Sequence, residues 1–137
     1  MADYKHSIAK VLRTEGGYAN DPDDAGGETY KGIARNFWPY WSGWVLIDIC
    51  KKDSKNFPKN LYSNPTLNEL VIGFYKLHFW DKVGGDGISD QDIADMLVDA
   101  AVNEGIKGAV KRAQGIVGLL QTGVVDAELV KRLNSMV

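Results

Sequence analysis

The side chain with the clearest chemical promise is Glu15, at the end of the first predicted helix. Apolar residues at helical spacing predict that helix over about residues 4–14, and Glu15 continues their stripe, four residues after Val11. Gly16 and Gly17 then end the helix and remove side-chain bulk beside the carboxyl. Burial and the negative end of the helix dipole both favour a protonated carboxyl. A carboxyl that is protonated near neutral pH is what a glycosidase needs as its general acid.

A second group of carboxyls lies in residues 20–27, a loop made mostly of turn formers. Glycoside hydrolysis usually uses two carboxyls that flank the scissile bond, so one of these could orient water or stabilise positive charge. The candidates are Asp21, Asp23 and Asp24. Two plainer interpretations stay open. The aspartates can bond to their own backbone, and Glu15 can be an ordinary helix-end glutamate that reaches solvent past the glycines.

The elements that must position these groups are predicted to be mainly helical. Residues 28–33 are predicted to be a short extended piece, and residues 45–50 either a helix or a buried strand, followed by a polar connection over 51–64. Four further helices are predicted over about residues 65–80, 89–103, 107–117 and 126–133. The sequence therefore predicts an all-α, mainly helical single domain over residues 1–137. At most, a minor short strand element lies near residues 18–33.

Local signals refine three of these helices. Thr66 and Glu69 have the spacing of a capping box, and Ser89 and Asp92 are placed to begin the next helix. The apolar stripes predict which side chains face the core. For the three helices in turn these are Leu70, Val71, Phe74 and Leu77, then Ile93, Met96, Leu97, Ala100 and Ala101, then Ala109, Val110, Ala113 and Val117.

Composition excludes several classes of protein. The chain has 137 residues, 45% hydrophobic and 25% charged, with a formal net charge of -2, so no basic surface indicates nucleic acid or anionic lipid. With one cysteine there is no intrachain disulfide, and no His/Cys/acid cluster has metal-ligand spacing, so neither metal nor cofactor is predicted. No apolar run has the length of a membrane span, and the N-terminus lacks a signal-peptide core. We expect synthesis in the cytoplasm and, for a substrate outside the membrane, a non-classical or holin-like export route.

Several blocks of the sequence together resemble the glycoside hydrolase family 108 N-acetylmuramidases, lysozyme-like proteins of which some are labelled secretion activators. The most specific block is Glu15-Gly16-Gly17-Tyr18, together with residues 20–29 and 31–33. Supporting blocks are 74–75, 79–81, 99–105 and 113–114, so the resemblance covers nearly the whole chain. It implies a lysozyme-like helical fold. It also implies peptidoglycan glycan strands as the partner, cleaved between N-acetylmuramic acid and N-acetylglucosamine.

The resemblance also implies roles for individual residues. The essential glutamate of the family's Glu-Gly-Gly-Tyr motif falls on Glu15, and phage-type lysozymes have a related Glu, Asp, Thr arrangement that Glu15, Asp24 and Thr29 approximate. Asp24 is thus the candidate second carboxyl and Thr29 its helper, although a mechanism based on Glu15 alone stays open. The family's C-terminal part looks like a small peptidoglycan-binding module and maps to about residues 99–134. Here residues 121–128 depart from the glycine and threonine pattern of such modules.

Aromatic and amide side chains are candidates for binding the glycan. Trp38 and Trp41 could stack on sugar faces, but their spacing also suits a helix face packed on the core. Tyr18 and Tyr75 belong to the matched blocks and could line a cleft or brace helices. Asn103 could bond an acetamido group or simply terminate its helix. Two other functions stay open: a lysozyme-like module that binds peptidoglycan without cutting it, and an accessory protein of a secretion machine. A lytic transglycosylase is a variant of the enzyme hypothesis. The oligomeric state is not predicted.

Overall fold

The computed structural model describes residues 1–137 and confirms the mainly helical prediction. Its helices are α1 Tyr4–Thr14, α2 Gly43–Lys51, α3 Lys59–Tyr62, α4 Pro65–Tyr75, α5 Gln91–Glu104, α6 Ile106–Ile116 and α7 Ala127–Asn134. One small sheet contains β1 Tyr18–Asn20, β2 Glu28–Tyr30 and β3 Ile33–Ala34. The chain divides into two compact units: residues 12–74, here the middle unit, and residues 1–11 with 75–137, here the terminal unit. None of these helices combines the length and the apolar composition that a membrane span requires.

The middle unit contains the antiparallel sheet, with strands in the order β1-β2-β3. Tyr18 lies opposite Tyr30, and Thr29 lies opposite both Ala19 and Ala34. Because side chains alternate along a strand, β2 buries Glu28 and Tyr30 on one face and turns the half-buried Thr29 to the other. The predicted extended piece is therefore two strands joined by a tight turn.

The helices of the middle unit differ from the prediction in two places. The connection 51–64 contains α3, which is only four residues long and is held by the fully buried Leu61. Helix α4 begins after Asn64, whose side chain accepts a hydrogen bond from the backbone N–H of Leu67 at 3.0 Å. The predicted capping box of Thr66 and Glu69 is wrong, because Asn64 already supplies the cap one residue before Pro65.

The terminal unit is built on α5, α6 and α7. Asp90 caps α5 by accepting from Ile93 N at 3.0 Å, and Asp126 caps α7 by accepting from Leu129 N at 2.9 Å. The sequence predicted that Ser89 and Asp92 begin this helix. In the structure the capping residue is Asp90, and α5 begins at Gln91. The buried face of α5 consists of Ala94, Asp95, Leu97, Val98 and Ala101.

A buried carboxylate ties α1 to α5 within the terminal unit. Asp95 is 7% exposed and accepts hydrogen bonds from Ser7 Oγ at 2.5 Å and Gln91 Nε2 at 2.8 Å. The Lys10 ammonium lies 3.0 Å from its Oδ2, and the His6 ring also contacts it. A carboxylate that is removed from water needs such partners, and here they come from both helices.

Two side chains predicted to face the core are exposed. Leu77 is 57% exposed because α4 continues as a π-helical turn, Lys76–Trp80, whose wider winding rotates the apolar stripe. Met96 is 72% exposed because it lies off the face of α5 that is buried. It lines an open apolar groove of about 150 Å³ with Ile116 and Met136.

Candidate active site

Glu15 comes directly after the last residue of α1 and is half-buried, as its place on the apolar stripe predicted. The two glycines after it have different surroundings. A side chain at Gly16 would meet no atom within 4 Å, so the backbone beside Glu15 faces open space. A Cβ at Gly17 would overlap the hydroxyl of Tyr62. Gly16 therefore leaves room next to the Glu15 carboxyl, whereas the lack of a side chain at Gly17 lets the Tyr62 hydroxyl approach the backbone.

Hydrogen bonds fasten the segment after Glu15. The carbonyl of Gly17 accepts from the backbone N–H of Lys31 at 3.2 Å, and the backbone N–H of Tyr18 donates to Tyr62 Oη at 2.9 Å. The Tyr18 hydroxyl donates to Glu28 Oε2 at 2.5 Å. The chain after Glu15 is thus bound to the β2–β3 turn, to α3 and to β2.

Glu28 is the centre of a charged cluster that the sequence reasoning did not identify. It is 8% exposed, accepts from Arg35 Nη1 at 2.8 Å and contacts the Lys51 ammonium. Arg35 also donates two bonds to Asp48, both 2.8 Å long. One signal was available: Glu28 and the apolar Tyr30 alternate on a predicted extended piece, so they share a face.

These contacts fix which groups carry protons. Burial acts to raise the pKa of Glu28, but the hydrogen bonds from Lys51, Tyr18 and Arg35 outweigh it and lower that pKa below its ordinary value. Burial and the bond to Glu28 raise the pKa of Tyr18 well above its ordinary value. Glu28 is therefore a carboxylate near neutral pH, unsuited to deliver a proton, and Tyr18 is a permanent donor to it.

Asp24 and Thr29 lie on the neighbouring loop and strand. Asp24 is exposed, and its Oδ1 accepts from the backbone N–H of Gly26 at 2.9 Å. Asp21 makes the same kind of turn with Asp23, also at 2.9 Å. The backbone-bonding interpretation of the aspartates thus describes what their side chains do in this structure. Thr29 lies on the sheet face opposite that of Glu28.

The tryptophan segment packs on α4 of the middle unit. Trp38 is 37% exposed, with its ring edge-on to Phe74 at 4.9 Å between centroids. Trp41 is half-buried and meets Trp44 at 5.3 Å and Phe74 at 6.1 Å. Trp44 is 2% exposed. Trp41 and Trp44 therefore serve packing, and Trp38 is the ring of the three with the most surface left for a ligand.

Tyr75 and Asn103 belong to the terminal unit. Tyr75 is 2% exposed, with its ring stacked on Phe79 at 5.6 Å, which favours the alternative that it braces helices. Asn103 is exposed next to the end of α5. Their roles in substrate binding stay predictions.

The middle unit has a groove, and one of the residues that line it, Leu12, lies one helical turn before Glu15. The groove has a volume of about 220 Å³, and its lining combines an ammonium, a phenol and an amide with aliphatic side chains. The lining residues are Leu12, Lys31, Tyr62, Asn68, Val71 and Ile72. No group of three or more His, Cys, Asp or Glu side chains is arranged to hold a metal ion.

Comparisons with known proteins give a family and a similar structure. The sequence model described as glycosyl hydrolase 108 matches residues 8–105, which is more than half of the chain. The solved structure of SagA from Brucella abortus is similar with a TM-score of 0.64 and 26% sequence identity, over 98% of this chain and 70% of that one. No curated protein matches. The matched residues run from α1 through the loop 20–27 and the sheet to the end of α5, and the chain belongs to the glycosyl hydrolase 108 family.

Proposed function

We propose that this chain hydrolyses peptidoglycan at the bond between N-acetylmuramic acid and N-acetylglucosamine, with Glu15 as the general acid. Membership of a glycosyl hydrolase family supports a glycan substrate and hydrolysis as the reaction. The observation that carries the proposal is the placement of Glu15: half-buried, at the end of α1 and beside the open space at Gly16. We place its site of action at the bacterial cell wall, where this substrate lies.

The electrostatics of the middle unit argue against its buried carboxyl, Glu28, as the general acid. A general acid must hold a proton near the working pH, and a helix C-terminus disfavours negative charge. Glu28 is surrounded by cationic and hydroxyl donors that keep it ionised. In the proposed reaction Glu15 protonates the glycosidic oxygen while positive charge develops on the sugar ring. Asp24 is proposed as the carboxylate that orients water, with Thr29 as its helper.

The deciding experiment compares wild type with Glu15→Gln on purified peptidoglycan. Gln keeps the size and polarity of Glu but has no proton to transfer, so we expect lysis to fall by about 10²- to 10⁴-fold, the range typical of a general acid. The matched control is Glu69→Gln, an exposed glutamate on α4 of the same unit, which should lyse like wild type. Circular dichroism must show the same fold in all three proteins. Retained lysis in Glu15→Gln would contradict the proposal.

The products separate this proposal from its rivals. New reducing ends at N-acetylmuramic acid support hydrolysis, whereas an anhydro-muramyl end, seen by mass spectrometry, indicates a lytic transglycosylase. Sedimentation of the protein with walls, without any new chain ends after long incubation, supports a binding module. Capture of a secretion component without affinity for walls supports an accessory protein.

A further inference from the structure

Glu28 carries a buried negative charge that the proposed acid–base chemistry does not use. Its three partners come from three different parts of the middle unit: Tyr18 from β1, Arg35 from just after β3, and Lys51 from the end of α2. Taking a carboxylate out of water is costly, and apolar side chains of similar volume often stabilise a fold equally well. The charged arrangement adds directional hydrogen bonds, and each of them fixes the position of the side chain that donates it.

Among these donors, Tyr18 is the one near the proposed acid, since it follows Glu15 by three residues. Helix α1 sets the path of the chain up to Thr14, and a side chain at position 16 would touch nothing, so on the C-terminal side of Glu15 the described anchors are the bonds made by Gly17 and Tyr18. Two of these bonds use main-chain groups, the carbonyl of Gly17 and the N–H of Tyr18. The third bond, from the Tyr18 hydroxyl to Glu28, is the one made by a side chain of β1.

We propose that Glu28 is a positioning residue for Glu15: through the Tyr18 hydroxyl it holds the segment after the acid in the geometry that proton transfer requires. The idea rests on the proposed function. It also gives the Tyr18 hydroxyl a role other than contact with the glycan. The ring of Tyr18 lies edge-on to Phe57 at 4.8 Å between centroids, so the ring packs inside the same unit while the hydroxyl reaches Glu28.

The decisive variant is Tyr18→Phe, which removes one oxygen and keeps the ring on Phe57. A small misplacement of a catalytic group reduces turnover much more than binding, so we expect kcat on peptidoglycan to fall about tenfold with KM within about twofold of wild type. The matched control is Tyr40→Phe, a tyrosine that is 98% exposed, which should keep the wild-type kcat. A raised KM with unchanged kcat would overturn the proposal, because the hydroxyl would then bind substrate.

A double-variant cycle with Glu28→Gln tests whether the two residues act together. If Glu28 works through Tyr18, the double variant should be no slower than the slower single variant. Fully additive losses in kcat would overturn the proposal. A purely structural role lowers the melting temperature and leaves the kcat of the folded fraction unchanged, which also overturns it. If Glu28→Gln lowers the folded fraction, the kcat of Tyr18→Phe decides alone.

Including Glu15→Gln in the same assay separates this inference from the function on which it rests. Lysis by Glu15→Gln at the wild-type rate removes the general acid, and with it both claims. An inactive Glu15→Gln together with a wild-type kcat for Tyr18→Phe leaves the acid in place and removes only the positioning role.

Discussion

The buried carboxylate of Asp95 makes a quantitative prediction about stability. Burial acts to raise its pKa, but hydrogen bonds and contacts from Ser7, Gln91, Lys10 and His6 outweigh it and lower that pKa from 3.8 to about 2. At about 1.4 kcal/mol for each pKa unit, the ionised form stabilises the fold by about 2 kcal/mol. Because the pKa of the folded protein is depressed, this contribution is complete above about pH 4 and is lost as the pH falls towards 2.

The perturbation is Asp95→Asn, which keeps the shape of the side chain and removes its charge. Unfolding entropy of about 2.1 cal/mol/K per residue amounts to about 0.29 kcal/mol/K for a chain of 137 residues. A loss of about 2 kcal/mol therefore lowers the melting temperature by about 7 °C at pH 7. The matched control is Asp99→Asn, an exposed aspartate on the same helix, with an expected change below about 0.5 kcal/mol.

The assay is thermal unfolding of wild type and both variants by circular dichroism, at pH 7 and at pH 2.5. Other carboxyls titrate equally in all three proteins, so the difference between wild type and Asp95→Asn isolates this one group. We expect that difference to shrink at the lower pH. The reasoning is refuted if Asp95→Asn melts within about 2 °C of wild type at pH 7, or if the difference is the same at both pH values.

The remaining predictions concern the loop and the turn next to Glu15. Asn in place of Asp24 can still accept from Gly26 N, so Asp24→Asn keeps the turn and tests only the charge. We expect lysis by this variant to fall by about 10-fold, a smaller loss than for Glu15→Gln. If Asp24→Asn instead lyses walls at the wild-type rate, the mechanism has no second carboxylate. Gly17→Ala forces its Cβ onto the Tyr62 hydroxyl, so we expect a loss of about 1–3 kcal/mol in a denaturant titration. Gly16→Ala should unfold like wild type, since nothing lies within 4 Å, and equal losses in both variants would contradict this account.

The helices could be predicted where several signals coincide. Helix α1 has an apolar stripe of helical period and a glycine pair at its end, and its bounds agree with the prediction. Helix α3 was missed because four residues are too few to show a period, and burial of Leu61 holds it in place. The cap of α4 was misplaced because both Asn64 and Thr66 are good capping residues, and the choice between them is local geometry.

The candidate site was only partly readable from the sequence. The place of Glu15 is set by the helix and the glycines, and the structure agrees on its partial burial. Glu28 was missed because a glutamate on a short strand normally faces water. The cations that allow its burial, Arg35 and Lys51, lie in later segments of the chain. No local sequence pattern predicts that they contact Glu28. The role of each aspartate in the loop 20–27 depends on where its side chain points, and the residue types that form a turn do not determine that.

The division of the chain into its two units determines which fragments of it can keep a complete interior. Residues 12–74 form one uninterrupted stretch, whereas the other unit is assembled from both ends of the chain. Ser7, Ile8 and Val11 of α1 are at most 2% exposed and belong to the interior of this unit, where Ser7 donates to Asp95 of α5, 88 residues later. A fragment that starts at residue 75 would lack that interior. The C-terminal helices are thus best studied with the first eleven residues joined back to them.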